Sequence, residues 1–90
     1  MRTLEVTYRK GRPFAAYLHL ARTPGEPSAR VEERGAYLID WSADGHPLGI
    51  EMPYPSLVTR DGLNQLLADL HLDPEEAPAP FLTSANAMVS

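Results

Sequence analysis

The chain has 90 residues, no cysteine and a net charge of −4. This length makes one small domain with a modest core. The absence of cysteine excludes a disulfide framework and a thiolate metal site, and the acidic balance argues against a general nucleic-acid binder.

No segment approaches a membrane span, and the first residues lack the apolar run of a signal peptide, so the cytoplasm is the expected location. Charge is uneven along the chain. Residues 1–22 hold Arg2, Arg9, Lys10, Arg12 and Arg22 against Glu5 alone. Residues 60–90 hold Arg60 against Asp61, Asp69, Asp73, Glu75 and Glu76. As solvated surface charge these ends need no function; as opposites they could attract within a chain or between chains.

Residues 3–8 alternate, with Leu4, Val6 and Tyr8 on one face, which is strand period. Residues 13–20 place Phe14, Ala16, Leu18 and Leu20 on one face. A three-residue loop Arg9-Lys10-Gly11 with Gly11 left-handed sets Val6 opposite Phe14 and Leu4 opposite Ala16. Two prolines and a glycine make residues 21–28 a loop. Residues 29–34 read as a polar strand, suited to an edge.

Residues 36–51 read as a hairpin over Asp44-Gly45, expected as a type I′ turn. Counting outward sets Trp41 opposite Leu48, Ile39 opposite Ile50 and Tyr37 opposite Met52, all apolar and on one face. Leu38, Asp40, Ser42, Pro47, Gly49 and Glu51 fall on the other. Pro53 and Pro55 end the strand. Thr59 is the expected N-cap of a helix over 60–71, with Asp61 in its first turn and Leu63, Leu66, Leu67 and Leu70 forming its apolar stripe. Gly62 weakens the first turn, and Asp73-Pro74 is expected to end the helix. Residues 74–90 read as a Pro-rich tail, disordered or docked on a partner.

The expected fold is therefore α+β: an antiparallel β-meander of four to five strands with one C-terminal amphipathic helix on its apolar face. Five strands span about 20 Å, and a twelve-residue helix is about 18 Å long and about 10 Å wide. One such helix looks too small for that face, so a homodimer sharing its core is expected.

Ala16-Tyr17-Leu18-His19-Leu20, and Ala36–Asp40 followed by Asp44-Gly45-His46-Pro47-Leu48-Gly49-Ile50-Glu51, resemble two signatures of the small prokaryotic family catalogued as domain of unknown function 2283. The resemblance covers roughly residues 4–57. It implies a short β-sheet protein with no established activity, and for part of the family a toxin-partner role. The chain departs at Met52-Pro53-Tyr54-Pro55-Ser56, where the family has an Ala-Ser step, and in the helix and tail beyond residue 57.

Asp40 and Glu51 share the polar face of the central hairpin, with Gly49 leaving space opposite Asp40. Two close carboxylates can hold a divalent cation or act as an acid–base pair. Paired with Arg30 or Arg34 from the adjacent strand, they are surface polar groups. Asp44 is explained by its turn. His19, His46 and His71 lack metal-ligand spacing, and Ser42, Ser56 and Ser84 lack a nucleophile elbow. Tyr8, Tyr17, Tyr37 and Trp41 could stack bases, but three of them lie on the core face. Arg9, Lys10 and Arg12 form a basic turn able to touch phosphate or an acidic partner. Phe81 and Leu82, with Met88 and Val89, are candidate docking residues of the tail.

No cofactor or metal is expected. The leading functional expectation is a non-enzymatic protein-interaction module, dimeric, binding through a strand edge or the tail, with toxin neutralisation as one version. The alternative is a small metal-dependent hydrolase using Asp40 and Glu51. Nucleic-acid binding through the basic turn comes third.

Overall fold

A computed structural model describes residues 3–20 and 25–74. In chain order they form β1 (Thr3–Arg9), β2 (Arg12–His19), β3 (Arg30–Arg34), β4 (Tyr37–Trp41), β5 (Pro47–Met52), a short 3-10 turn (Pro55–Leu57) and α1 (Arg60–Asp69). The α+β class is as expected, but the sheet is not a simple meander. Its order is β1-β2-β5-β4-β3, with every neighbouring pair antiparallel. Burial explains the order. Leu48, Gly49, Ile50 and Met52 of β5 are buried, so β5 takes the centre. The polar strand Arg-Val-Glu-Glu-Arg, β3, takes an edge, where charge is tolerated and discourages stray pairing.

Of the three hairpins, β1–β2 and β4–β5 exchange the turn types expected from their sequences. The β1–β2 turn has two residues, Lys10 (φ 53°) and Gly11 (φ 77°), both left-handed as a type I′ turn requires. Arg9 then faces Arg12, and Phe14 becomes an extra, bulged residue between the Tyr8–Pro13 and Thr7–Ala15 pairs. Val6 therefore faces Ala16, and Leu4 faces Leu18, two residues away from the expected register. A slip of two keeps every side chain on its face, so the apolar row survives.

At the second hairpin, Gly45 donates its N–H to the Ser42 carbonyl at 3.1 Å, and Ser42 donates to His46 at 2.9 Å. Only Gly45 (φ 92°) is left-handed there. This is a three-residue loop with a glycine bulge, not an Asp-Gly type I′ turn. Trp41 consequently faces Pro47 rather than Leu48, which bulges. That bulge restores the expected pairing below it, where Ile39 faces Ile50.

Leu4, Val6, Ala16, Leu18, Tyr37, Ile39, Trp41, Ile50 and Met52 belong to the inner cluster, where α1 packs through Leu63, Leu66 and Leu67. Val58 and Leu72 extend the cover beyond the helix. The centre of the face is closed: Leu18, Ile39, Leu48, Ile50 and Met52 are fully buried. The expectation that one helix is too small fails at the centre, because Val58 and the segment after α1 help cover it. It holds toward β1, where Leu4 and Val6 are only partly buried. Tyr8 is 49% exposed and the bulged Phe14 52%.

Thr59 caps α1 by accepting from the Gly62 N–H at 3.0 Å. Gly62 has a packing reason: a Cβ there would stand 3.1 Å from both the Tyr37 hydroxyl and the Thr59 hydroxyl. The helix ends before Asp73-Pro74. His71 turns left-handed (φ 61°), Leu72 donates to the Leu67 carbonyl at 2.8 Å, and His71 to that of Ala68 at 3.0 Å. This is a Schellman stop, with Leu72 folded back onto the core. Residues 75–90 of the expected tail lie outside the described residues.

Ile50→Ala is expected to cost about 2–5 kcal/mol in chemical denaturation, because its fully buried site is held by sheet neighbours that cannot collapse. A loss below about 1 kcal/mol would contradict the central placement of β5.

Candidate functional site

The face of the sheet away from α1 carries two cross-strand rows. Glu5, Tyr17, Glu51, Leu38 and Glu33 form one; Thr3, His19, Gly49, Asp40 and Val31 form the next. Asp40 and Glu51 thus share a face on neighbouring strands, diagonal to each other. The space above Gly49 is filled. The Tyr17 ring lies across it so closely that a Cβ on Gly49 would overlap the phenol. From there the Tyr17 hydroxyl donates to Asp40 Oδ2 at 2.6 Å. The Ser28 hydroxyl lies 3.5 Å from Asp40 Oδ1.

Tyr17 also tilts against His19, ring centroids 4.6 Å apart, and His19 Nε2 lies 2.9 Å from Glu5 Oε1. The result is one polar chain, Glu5–His19–Tyr17–Asp40–Ser28, crossing the sheet. It braces β2 against the β4–β5 hairpin, its neighbour in space but not in sequence. Glu51 instead borders a shallow hollow of about 230 Å³ with Glu5, Thr7, Ala15, Ala16 and Tyr17.

Arg30 and Arg34 do not pair with these carboxylates, because the register puts them on the opposite face. Arg30 faces Trp41 and Arg34 faces Tyr37. Arg30 stacks 4.9 Å above the Trp41 ring. Arg34 donates to Glu32 at 2.7 Å, and the Trp41 indole donates to Glu32 at 3.0 Å. The Arg34 hydrogen bond is the main reason the Glu32 carboxyl sits below its ordinary range.

A second cluster forms where the second hairpin loop meets the segment before β3. Buried Ser42 contacts Asp44 Oδ1 and lies 3.0 Å from His46 Nδ1. His46 Nδ1 is 2.5 Å from Asp44 Oδ1, and Nε2 is 3.2 Å from Glu26 Oε1. The grouping is not a Ser-His-Asp triad, since serine and aspartate share one ring nitrogen and leave no base for the hydroxyl. Glu26, Asp44 and His46 can each offer a ligand atom within 4.8 Å of the others. The same geometry is complete without an ion: a protonated imidazole donates one N–H to each carboxylate. Asp44 accordingly raises the His46 pKa, with a smaller contribution from Glu26, and Ser42 and His46 lower that of Asp44.

Asp44 therefore does more than turn the chain. The Asp44-x-His46 spacing across a turn was a usable signal for this contact. Glu26, from a loop twenty residues away, had none. Arg9, Lys10 and Arg12 line a hollow of about 520 Å³ with Pro13 and Phe14, and the Arg9 guanidinium stands 5.3 Å above the Phe14 ring. Phe81 and Leu82 lie outside the described residues. No family model, curated protein or solved structure matches the chain.

The hairpin cluster makes stability depend on pH. His46 has a folded pKa above its ordinary 6.5, so its contribution is complete below 6.5 and lost as pH rises through the raised value. Asp44 has a folded pKa below its ordinary 3.8, so its contribution is complete above 3.8 and lost as pH falls through the lowered value. Both are present together between 3.8 and 6.5. In an NMR titration, Asp44→Asn should bring the His46 pKa down toward its ordinary value; an unchanged midpoint would contradict the contact.

Separately, Gly49→Ala should cost about 1–3 kcal/mol by driving Tyr17 off the strand. Adding Tyr17→Ala should make the second change less than additive.

Proposed function

We propose that this chain is a non-enzymatic protein-interaction module that engages its partners through an exposed strand edge. It forms a homodimer, and neutralising a toxin-like protein is one version of the role. Membership of the family that its two hairpin motifs resemble belongs to the same reading. The observation that supports it best is β1. This strand lies at the edge of the sheet, and its inner row is incompletely covered, from half-buried Leu4 and Val6 to Tyr8 at 49% exposure. An edge with an apolar row is suited to β-augmentation, in which main-chain hydrogen bonds supply affinity and alternate side chains supply selectivity.

The alternative, a metal-dependent hydrolase acting through Asp40 and Glu51, has less support. Asp40 accepts from Tyr17 and lies against Ser28, so a cation there would have to displace the brace across β5. Among the described residues, no helix is long and apolar enough to cross a membrane.

The test is capture of partners from the native host by the immobilised chain. Capture is expected to survive Asp40→Asn and removal of residues 75–90, and to be lost on Thr7→Lys, which sets a charge on the β1 edge. Capture that needs residues 75–90 would move the interface to the tail, with Phe81 and Leu82 its first candidates. A divalent cation that raises the melting temperature of the native chain but not of Asp40→Asn would favour the hydrolase.

A further inference from the structure

Each edge of this sheet can be set against a copy of itself in a small number of registers. For a two-fold pair with both helices on one face, opposed residues must be of equal parity in the strand. Full overlap of β3 with itself sets Arg30 against Arg34 and Glu32 against Glu32, all like charges. Like charges directly opposite are destabilising in that register, but a slip of two residues, with the axis at Glu33, sets Glu32 against Arg34 instead.

β1 is the longer of the two edge strands. It runs seven residues, Thr3–Arg9, with no proline. The irregularity beside it falls on β2, at Phe14, so the free edge keeps an unbroken alternation. Its inner row is Leu4, Val6 and Tyr8, and its outer row Thr3, Glu5, Thr7 and Arg9. Two residues out of full overlap, the outer row is complementary to its own reverse. With a two-fold axis through Thr7, Glu5 falls opposite Arg9 of a second copy, twice in the dimer. In the same register Val6 falls opposite Tyr8 of the second copy, also twice, on the face where Tyr8 is half exposed. Opposed residues in an antiparallel pair lie about 4.5–5.5 Å apart, within reach of both kinds of contact.

We infer that β1 is the docking edge for a second copy of this chain, joined antiparallel about a two-fold axis through Thr7 with Glu5 opposite Arg9. Two five-stranded sheets become one sheet of ten, and both helices lie on the same side. The inference rests on the interaction-module reading and names its first partner. Glu5, which meets His19 in the single chain, gains the Arg9 guanidinium across the seam. Arg9 keeps its place near Phe14 while its terminal donors reach the carboxylate. Because the contact is a single strand edge, the dimer is reversible and smaller than a standard interface.

Sedimentation velocity over a wide concentration series tests this with five full-length chains: native, Glu5→Arg, Arg9→Glu, the double reversal and Thr7→Lys. The native chain should show a reversible monomer–dimer equilibrium. Each single reversal replaces two attractive cross-strand pairs by two repulsive ones and should weaken the dimer by about tenfold or more. The double reversal should return it to within about threefold of native. Thr7→Lys sets two ammonium groups against each other at the axis and should leave only monomer. These positions are exposed, so near-native melting of the monomers will show that folding is intact.

A dimer indifferent to the reversals overturns the inference while leaving an interaction module that pairs through another surface. A native chain that stays monomeric but captures a host protein overturns it in favour of a different occupant of the edge. A monomer that captures nothing overturns both the inference and the reading beneath it.

Discussion

At the centre of the sheet Gly49 gives up its side chain, and a contact between the strands on either side of β5 depends on it. Tyr17 on β2 reaches Asp40 on β4 by lying over the bare backbone of the strand between them. Any Cβ at Gly49 would occupy the space of the phenol. That geometry ties β2 to the β4–β5 hairpin, from which it is separated in sequence. Beneath it, on the other face, Leu18, Ile39 and Ile50 are fully buried against α1. The sheet is thus held on one face by apolar packing and on the other by a polar chain from Glu5 to Ser28. A buried core of this size is modest, so a directed hydrogen bond that joins non-sequential strands carries unusual weight in choosing the topology.

The same interaction decides how Asp40 should be understood. A carboxylate beside a glycine and diagonal to Glu51 has the residues of an acid pair. In three dimensions one oxygen accepts from a phenol at 2.6 Å, and the group serves as an anchor. With chemistry less favoured on that face, the unfinished parts of the molecule gain importance, and these are its edges. β1 is the edge whose apolar row is left half covered, from Leu4 to Tyr8, beside the charged pair Glu5 and Arg9.

Much of the fold was legible in the chain. Alternation at residues 3–8 and 37–41, the leucine stripe of α1 and the Thr59 cap all rest on local rules. Gly49 was also legible as an open space opposite Asp40, although the side chain that fills it was not. The strand order was hidden because the β2–β5 pairing depends on comparing the burial of β5 with that of β3, a competition between segments rather than a property of either. The turns were misjudged for a different reason. Lys10 adopts a left-handed conformation that lysine seldom takes, which shortens the first loop, while Asp44 declines one that Asp-Gly usually allows. At these two hairpins a bulge, at Phe14 and at Leu48, absorbs the difference, so the faces away from the bulges were read correctly even where partners were not. The His46 cluster stayed out of sight because Glu26 reaches it from a loop remote in sequence.

The central claim is that Tyr17 and Asp40 are energetically coupled across Gly49. A double-mutant cycle with Tyr17→Phe, Asp40→Ala and the pair, read by chemical denaturation, tests it most directly. The account requires a coupling of about 1 kcal/mol or more, because each group loses its partner when the other is removed. Purely additive losses would show that the phenol and the carboxylate merely lie near each other, and that no brace spans β5.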